Sequence, residues 1–102
     1  SCFRQGDIYN SPNKKYDVII ATEVLEHLEN PAKALKNLFS TLNVEGRLFV
    51  TVPNGRTDTY QGHIHFWSPE SWTLFVNKEI GHLCDIQIGM LAEKNYALIR
   101  KI

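Results

Sequence analysis

The first third of the chain contains the segment Tyr16-Asp-Val-Ile-Ile-Ala-Thr-Glu-Val-Leu-Glu-His-Leu-Glu-Asn-Pro31. Its opening residues, 16–21, form a nearly continuous apolar run rich in β-branched side chains, which is typical of a strand buried on both faces of a parallel sheet. At the other end, Asn30 is a suitable helix N-cap and Pro31 a suitable first-turn residue. The segment therefore predicts a strand, a short connection and the start of a helix.

The residues that follow complete a strand–helix–strand unit. After Pro31, apolar side chains recur at helical spacing: Ala34, Leu35, Leu38, Phe39 and Leu42. A second strand-like run, Arg47-Leu-Phe-Val-Thr-Val52, is preceded by Glu45-Gly46 and closed by Pro53-Asn54-Gly55. A parallel return of this kind predicts a right-handed βαβ unit.

The C-terminal half predicts one more helix and a hairpin. Ser68-Pro69-Glu70 supplies a cap, a first-turn proline and a carboxylate, and Gly81 is a typical helix end. The apolar stripe of this helix consists of Trp72, Phe75, Val76 and Ile80. Cys84, Ile86, Ile88 and Met90 alternate with polar residues and predict a half-buried strand, joined through Glu93-Lys94-Asn95 to a last strand at 96–101. The predicted class is α/β, with a mixed sheet ending in an antiparallel hairpin.

The composition limits the partners of the chain. It carries 11 basic and 11 acidic side chains among 102 residues, so no net field attracts long nucleic acids or anionic membranes. Cys2 and Cys84 are too few for a disulfide framework and fit a reducing compartment. No apolar run is long enough to span a bilayer, and no signal peptide is visible. We expect one cytoplasmic domain without a membrane or long nucleic-acid partner.

The segment 16–31 resembles the class I S-adenosylmethionine (SAM) dependent methyltransferases, in the branch whose fourth strand runs into Glu-X-X-Glu-His-Leu. Gly46-Arg-Leu-Phe-Val-Thr-Val-Pro-Asn54 is similar to the fifth strand of that family, and Gly62-His-Ile-His-Phe-Trp-Ser-Pro-Glu70 to its following loop and helix start. Gly6-Asp7-Ile8 lies where the family places the acidic residue after its third strand. The resemblance runs in register over about residues 5–80. It implies a Rossmann-like methyltransferase fold.

The resemblance also implies that part of the domain is missing. The family opens with a strand and a glycine-rich turn that cradles SAM, followed by an acidic residue for the ribose. Here the glycines stand at positions 6, 46, 55, 62, 81 and 89, and none forms a Gly-X-Gly arrangement. We expect residues 1–102 to be a single domain, the C-terminal portion of a SAM-dependent methyltransferase domain. Such a chain alone should bind SAM weakly or not at all.

Four residues are implied to bind the cofactor. By the resemblance, Asp7 lies near the adenine amino group, with the backbone of Ile8 alongside. Thr22 and Glu23, at the carboxyl end of the first strand, lie beside the sulfonium. This agrees with the rule that ligands bind at the carboxyl ends of strands in open α/β sheets. For Asp7 the alternative is an ordinary turn residue after Gly6.

Glu23, Glu26 and His27 are the strongest polar constellation in the sequence. If Thr22 opens a helical turn, all three lie on one face of that turn. Two carboxylates and an imidazole suit Mg²⁺, Mn²⁺ or Zn²⁺, with His63, or as a weaker candidate His65, as the fourth ligand. Some members of the resembled branch use such a set for a divalent metal. The alternative, given equal weight, is a solvated turn in which His27 hydrogen-bonds Glu23.

Two functions remain open from the sequence. The leading hypothesis is a SAM-dependent methyltransferase that transfers a methyl group to an oxygen of a small molecule or of a nucleic-acid end. Without a metal, His27 is then the candidate general base. The alternative is a non-catalytic remnant or interaction module of the same fold. The missing neighbour of the first strand also predicts a homo-oligomer that forms through an exposed sheet edge.

Overall fold

A computed structural model describes residues 15–57, 65–81 and 84–102. Within these ranges the elements are β1 (Tyr16–Thr22), α1 (Pro31–Ser40), β2 (Leu42–Pro53), α2 (Pro69–Ile80), β3 (Cys84–Leu91) and β4 (Lys94–Lys101). A short 3-10 turn, Leu25–His27, lies between β1 and α1. The strands form a sheet in the order β1-β2-β4-β3. β1 is parallel to β2, whereas β4 is antiparallel to both β2 and β3. The predicted α/β class, with a mixed sheet and a C-terminal hairpin, is confirmed.

Both helices begin at the predicted caps. The Asn30 side chain accepts a hydrogen bond from the Lys33 amide at 3.1 Å, and the Ser68 hydroxyl accepts one from the Ser71 amide at the same distance. A proline opens each helix, where its missing N–H costs nothing. Leu42 was placed on the apolar stripe of α1, but it is the first residue of β2 because the helix ends at Ser40.

The two helices cover one face of the sheet and form the core with it. Ile19 and Ala21 of β1 point into this core and are buried. Val18 and Ile20 point to the other face and remain 48% and 47% exposed. β1 has the pattern of a strand buried on both faces, but only one of its faces is covered, because the described residues place no element over the other. None of the helices in the described ranges is long and apolar enough to cross a membrane.

The regular part of β2 agrees with the predicted run at 47–52, but the strand has an irregular start. Between the pairs Tyr16↔Leu42 and Val18↔Arg47, β2 contains extra residues that oppose nothing on β1. Gly46 lies in this bulge, where an added Cβ would come within 2.7 Å of the Asn43 carbonyl oxygen. The glycine therefore allows the backbone to fold back closely before regular pairing begins.

The hairpin between β3 and β4 turns earlier than predicted. Its turn residues are Ala92 and Glu93, whereas Lys94 and Asn95 belong to β4 and pair with Leu91 and Met90. Lys94 and Asn95 are polar, as turn residues often are. Both belong to the strand because their side chains contact residues on other elements. This shift brings Lys94 to the sheet edge where β2 ends.

Candidate active site

The candidate site lies at the edge of the sheet where three strands meet. β1 and β2 run parallel and pair as Thr22↔Thr51, so their carboxyl ends share this edge. β4 runs the opposite way and therefore begins there, with Lys94 opposite Pro53. Polar residues from separate parts of the chain are thus brought together. Ligand sites of open α/β sheets lie at this kind of edge.

Glu23 turns the chain away from β1 and is held by the neighbouring strands. Its backbone has φ of 56°, a left-handed conformation that few residues with a side chain adopt. Its N–H donates to the Thr51 carbonyl oxygen at 2.9 Å, and the Thr51 hydroxyl donates to Glu23 Oε2 at 3.3 Å. Lys94 Nζ donates to Glu23 Oε1. This hydrogen bond raises the pKa of Lys94 above its ordinary value; desolvation partly opposes the shift, and the charges of Glu23 and Glu26 add to it.

Glu26 and His27 form the end of the 3-10 turn and differ sharply in exposure. The Glu26 side chain is fully buried, whereas that of His27 is 36% exposed. His27 Nε2 lies 3.8 Å from Glu26 Oε2, close enough for an ion pair when the imidazole is protonated. The Glu26 carbonyl oxygen accepts a hydrogen bond from the His65 amide at 3.2 Å, which ties the segment after residue 64 to this turn. Leu25 is buried beside them.

The three polar residues do not follow one continuous helical turn. Because the left-handed Glu23 precedes the 3-10 turn, helical spacing does not relate it to Glu26 and His27. In the ranges 15–57, 65–81 and 84–102, no group of three or more His, Cys, Asp or Glu residues is arranged to hold a metal ion. The fourth predicted ligand, His63, lies outside the described residues, as do Asp7 and Ile8. The metal set and the adenine contacts therefore stay predictions.

Thr22 lies where it was predicted, exposed at the carboxyl end of β1. Sequence reasoning missed Thr51 and Lys94, both of which contact Glu23. No sequence signal indicates either contact, because the position of Lys94 depends on the pairing of β4 with β2, which only the fold reveals.

An aromatic cluster packs behind this edge of the sheet. Trp67 stacks on His65 with ring centroids 5.5 Å apart and contacts Trp72 and Phe75 at 5.5 and 5.1 Å. The Gly55 amide donates to the Trp67 carbonyl oxygen at 2.6 Å, and an added Cβ at Gly55 would come within 2.6 Å of backbone atoms there. Trp67 and Trp72 are both buried in the core.

A shallow groove of about 300 Å³ lies at the other end of the sheet. Its walls include Arg47, Asp85 and Arg100, which belong to the start of β2, the start of β3 and the end of β4. Arg100 already pairs with Asp85 and with Glu45, so part of the local positive charge is neutralised. The geometry of the strand ends therefore favours the Glu23 edge over this groove as the candidate site.

Comparison with protein families gives a match over most of the chain. A family model described as a methyltransferase domain matches residues 3–85. No curated protein matches the chain in a sequence search.

The chain shares its fold with several solved methyltransferases. The N-methyltransferase NodS of Bradyrhizobium japonicum, bound to S-adenosyl-l-homocysteine, is 21% identical; the match covers 93% of this chain and 51% of NodS, with a TM-score of 0.67. The plantazolicin methyltransferase BpumL is 14% identical, with 91% and 55% covered and a TM-score of 0.73. The small RNA methyltransferase HEN1 is 18% identical, with 92% and 15% covered and a TM-score of 0.77. These likenesses establish the fold. The chain spans 24% to 51% of the first three structures it matches.

Proposed function

Because the chain belongs to the methyltransferase domain family, we propose that it forms part of a SAM-dependent methyltransferase whose site lies at the carboxyl ends of β1 and β2. The observation that carries this proposal is the placement of Thr22, Glu23 and the 3-10 turn with His27 at that one edge. Residues 1–102 are then the C-terminal portion of the domain, which fits their partial coverage of the structural neighbours.

The side chains at this edge fit a positively charged cofactor. The Thr22 hydroxyl is exposed, and the Glu23 carboxylate, although it pairs with Lys94, remains 31% exposed at the same edge. SAM, when bound, supplies a methyl group on an activated sulfonium, so the main task of the protein is to align the acceptor with that methyl group. Thr22 and Glu23 would contact the sulfonium side, and Asp7 and Ile8 would contact the adenine.

For the acceptor we propose an oxygen nucleophile, with His27 as the general base. The exposed part of the His27 ring gives it access to a substrate, and a neutral imidazole nitrogen can accept the proton of a hydroxyl group. The buried Glu26 carboxylate near His27 Nε2 then stabilises the imidazolium that results. The structural neighbours that act on plantazolicin and on small RNA support an acceptor that is a small molecule or a nucleic-acid end.

The test measures methyl transfer from radiolabelled SAM by the full-length gene product. His27→Ala should lower kcat about 10²- to 10⁴-fold, because proton removal from the acceptor is lost. Lys33→Ala, exposed on α1, is the matched surface control and should leave kcat unchanged. Equal kcat values for His27→Ala and the wild type would contradict the role of His27.

The alternative to the general base is a divalent metal held by Glu23, Glu26, His27 and His63, which would first have to displace Lys94 from Glu23 Oε1. The chemistry of two carboxylates and two imidazoles supports it, because these groups would balance the charge of Mg²⁺, Mn²⁺ or Zn²⁺. Such a metal would lower the pKa of an acceptor hydroxyl group. Activity lost on chelation and restored by one of these ions is the expected result. Full activity after exhaustive chelation would exclude the metal and leave His27 as general base as the remaining form of the proposal.

The coding sequence upstream of Ser1 distinguishes an enzyme from a non-catalytic module. For the enzyme, we expect the coding sequence upstream of Ser1 to encode a strand followed by Gly-X-Gly and an acidic residue at the end of the next strand. If the upstream sequence lacks this turn, the chain is a remnant or interaction module. A reducing location such as the cytoplasm is part of the proposal, supported by a sequence with only two cysteines, too few for a disulfide framework.

Self-association completes the proposal. Val18 and Ile20 expose apolar surface on β1, which lies at the end of the described sheet. An apolar edge strand with unpaired backbone groups recruits another strand. We propose a homo-oligomer that forms through β1.

A further inference from the structure

Lys94 reaches the candidate site from the C-terminal hairpin, far from Glu23 in sequence. It pairs with Pro53 at the end of β2, and Glu23 follows β1 on the other side of β2. Neighbouring strands lie about 4.8 Å apart, so the two backbones are separated by about 10 Å. Only two long side chains cover that span. The contact therefore depends on a lysine at the start of β4 and a glutamate at the end of β1.

Both carboxylate oxygens of Glu23 are engaged by the protein. Oε1 accepts from Lys94 Nζ, and Oε2 accepts from the Thr51 hydroxyl at 3.3 Å. The Glu23 side chain is 31% exposed and that of Lys94 49% exposed, so solvent reaches the pair but does not surround it.

We propose that Lys94 is the resident counter-ion of Glu23 and excludes a divalent metal from this carboxylate. Its ammonium lies at the oxygen that a metal would coordinate, so a metal reaches Glu23 only by displacing Lys94. Lys94 is a positioning residue: it fixes the charge and orientation of Glu23.

The physical basis is competition between two cations for one carboxylate. A divalent ion that approaches Glu23 meets the ammonium as a like charge at short range, and it must also remove the hydrogen bond from Nζ. Removal of the ammonium should therefore raise the affinity of this edge for a divalent ion about tenfold or more. The inference rests on the proposed site, but the binding of a metal is measured without methyl transfer. Its failure is thus distinguishable from failure of the proposed enzyme.

The test measures Mn²⁺ binding to the whole 102-residue chain. Binding is monitored through the relaxation rate of water protons. The wild type and Lys94→Arg, which both keep the cation, should bind Mn²⁺ weakly. Lys94→Gln should bind it at least tenfold more tightly, and Lys94→Ala provides a second charge-removing variant. Addition of Glu23→Gln to Lys94→Gln should abolish the gain. Thermal unfolding followed by circular dichroism verifies that each variant is folded.

Lys78→Gln is the matched control, because it removes the same charge from an exposed position on α2. It should bind Mn²⁺ as the wild type does. An equal gain in Lys78→Gln and Lys94→Gln would assign the effect to net charge and overturn the proposal. The proposal would also be overturned if the wild type and folded Lys94→Gln bound Mn²⁺ with equal affinity.

Discussion

Three residues with side chains adopt left-handed backbone conformations in the described ranges: Glu23, Glu45 and Ala92. Such a conformation costs about 1–2 kcal/mol for an L-residue with a Cβ. At Glu23 the cost accompanies contacts with Thr51 and Lys94, which connect it to the candidate site. At Ala92 the conformation serves only the tight hairpin turn. The same backbone feature is therefore tied to a side-chain role at Glu23 and to turn geometry alone at Ala92.

This difference predicts that Ala92→Gly is stabilising. Ala92, with φ of 56°, stands at the first central position of a two-residue hairpin turn, where glycine is preferred. Relief of the left-handed Cβ should exceed the entropy that glycine adds to the unfolded chain, with a net gain of about 0.5–1 kcal/mol in the free energy of unfolding. Urea denaturation measures it.

The control for Ala92→Gly is Ala32→Gly in α1. There the same substitution should lower the free energy of unfolding by up to about 1 kcal/mol, because a helix disfavours glycine. If both variants lose stability equally, the left-handed strain at Ala92 is not relieved by glycine.

At the scale of elements, Asn95 connects three segments. It is fully buried in β4, and its side-chain amide donates to the Trp67 carbonyl oxygen at 3.0 Å and to that of Pro53 at 3.4 Å. It thus ties the end of β2 to the segment that leads into α2. Because Asn95 is polar and lies close after Glu93, its sequence position is typical of a turn. In the fold, its hydrogen bonds to these two carbonyl oxygens stabilise it in the core.

We therefore predict that Asn95→Ala destabilises the fold by about 1–3 kcal/mol, since it removes the two side-chain hydrogen bonds to the Trp67 and Pro53 carbonyl groups. Chemical denaturation followed by circular dichroism provides the measurement. Asn43→Ala removes only an exposed hydrogen bond to Asp17 and should cost well under about 1 kcal/mol. Equal losses in the two variants would contradict the role assigned to Asn95.

The elements differ in how far the sequence predicts them. The starts of α1 and α2 are predictable because capping is local: Asn30 and Ser68 bond to amides three residues ahead. The hairpin turn and the Lys94 contact are not, since both depend on how β4 aligns with β2. The burial of Glu26 also escapes sequence reasoning, because its spacing from Glu23 reads as an exposed helical face.

At the scale of the whole molecule, the sheet has one covered and one open face. The helices cover Ile19, Leu48 and Ile99, whereas Val18, Ile20 and Leu98 lie on the opposite face and are exposed. The exposed apolar residues of the open face lie on β1 and the adjoining strands. On β3 the same face carries polar side chains such as Gln87. A partner that buried this face would therefore contact β1 first.

We predict that the chain self-associates and that Val18→Lys combined with Ile20→Lys makes it monomeric. Charged side chains on the exposed face of an edge strand oppose pairing with another chain. Light scattering coupled to size-exclusion chromatography measures the mass. Val44→Lys, at a position that is 68% exposed in the irregular start of β2, should leave the assembly intact. A monomeric wild type at high concentration would contradict the prediction.

The burial of the aromatic cluster has an optical consequence. The chain contains two tryptophans, Trp67 and Trp72, which are 9% and 0% exposed. The Trp72 indole N–H donates to the Tyr96 carbonyl oxygen at 3.2 Å, so this ring rests against β4. Indoles shielded from water emit at shorter wavelengths and resist quenching by iodide. The native chain should therefore fluoresce blue-shifted, and a red shift should report separation of α2 from the sheet.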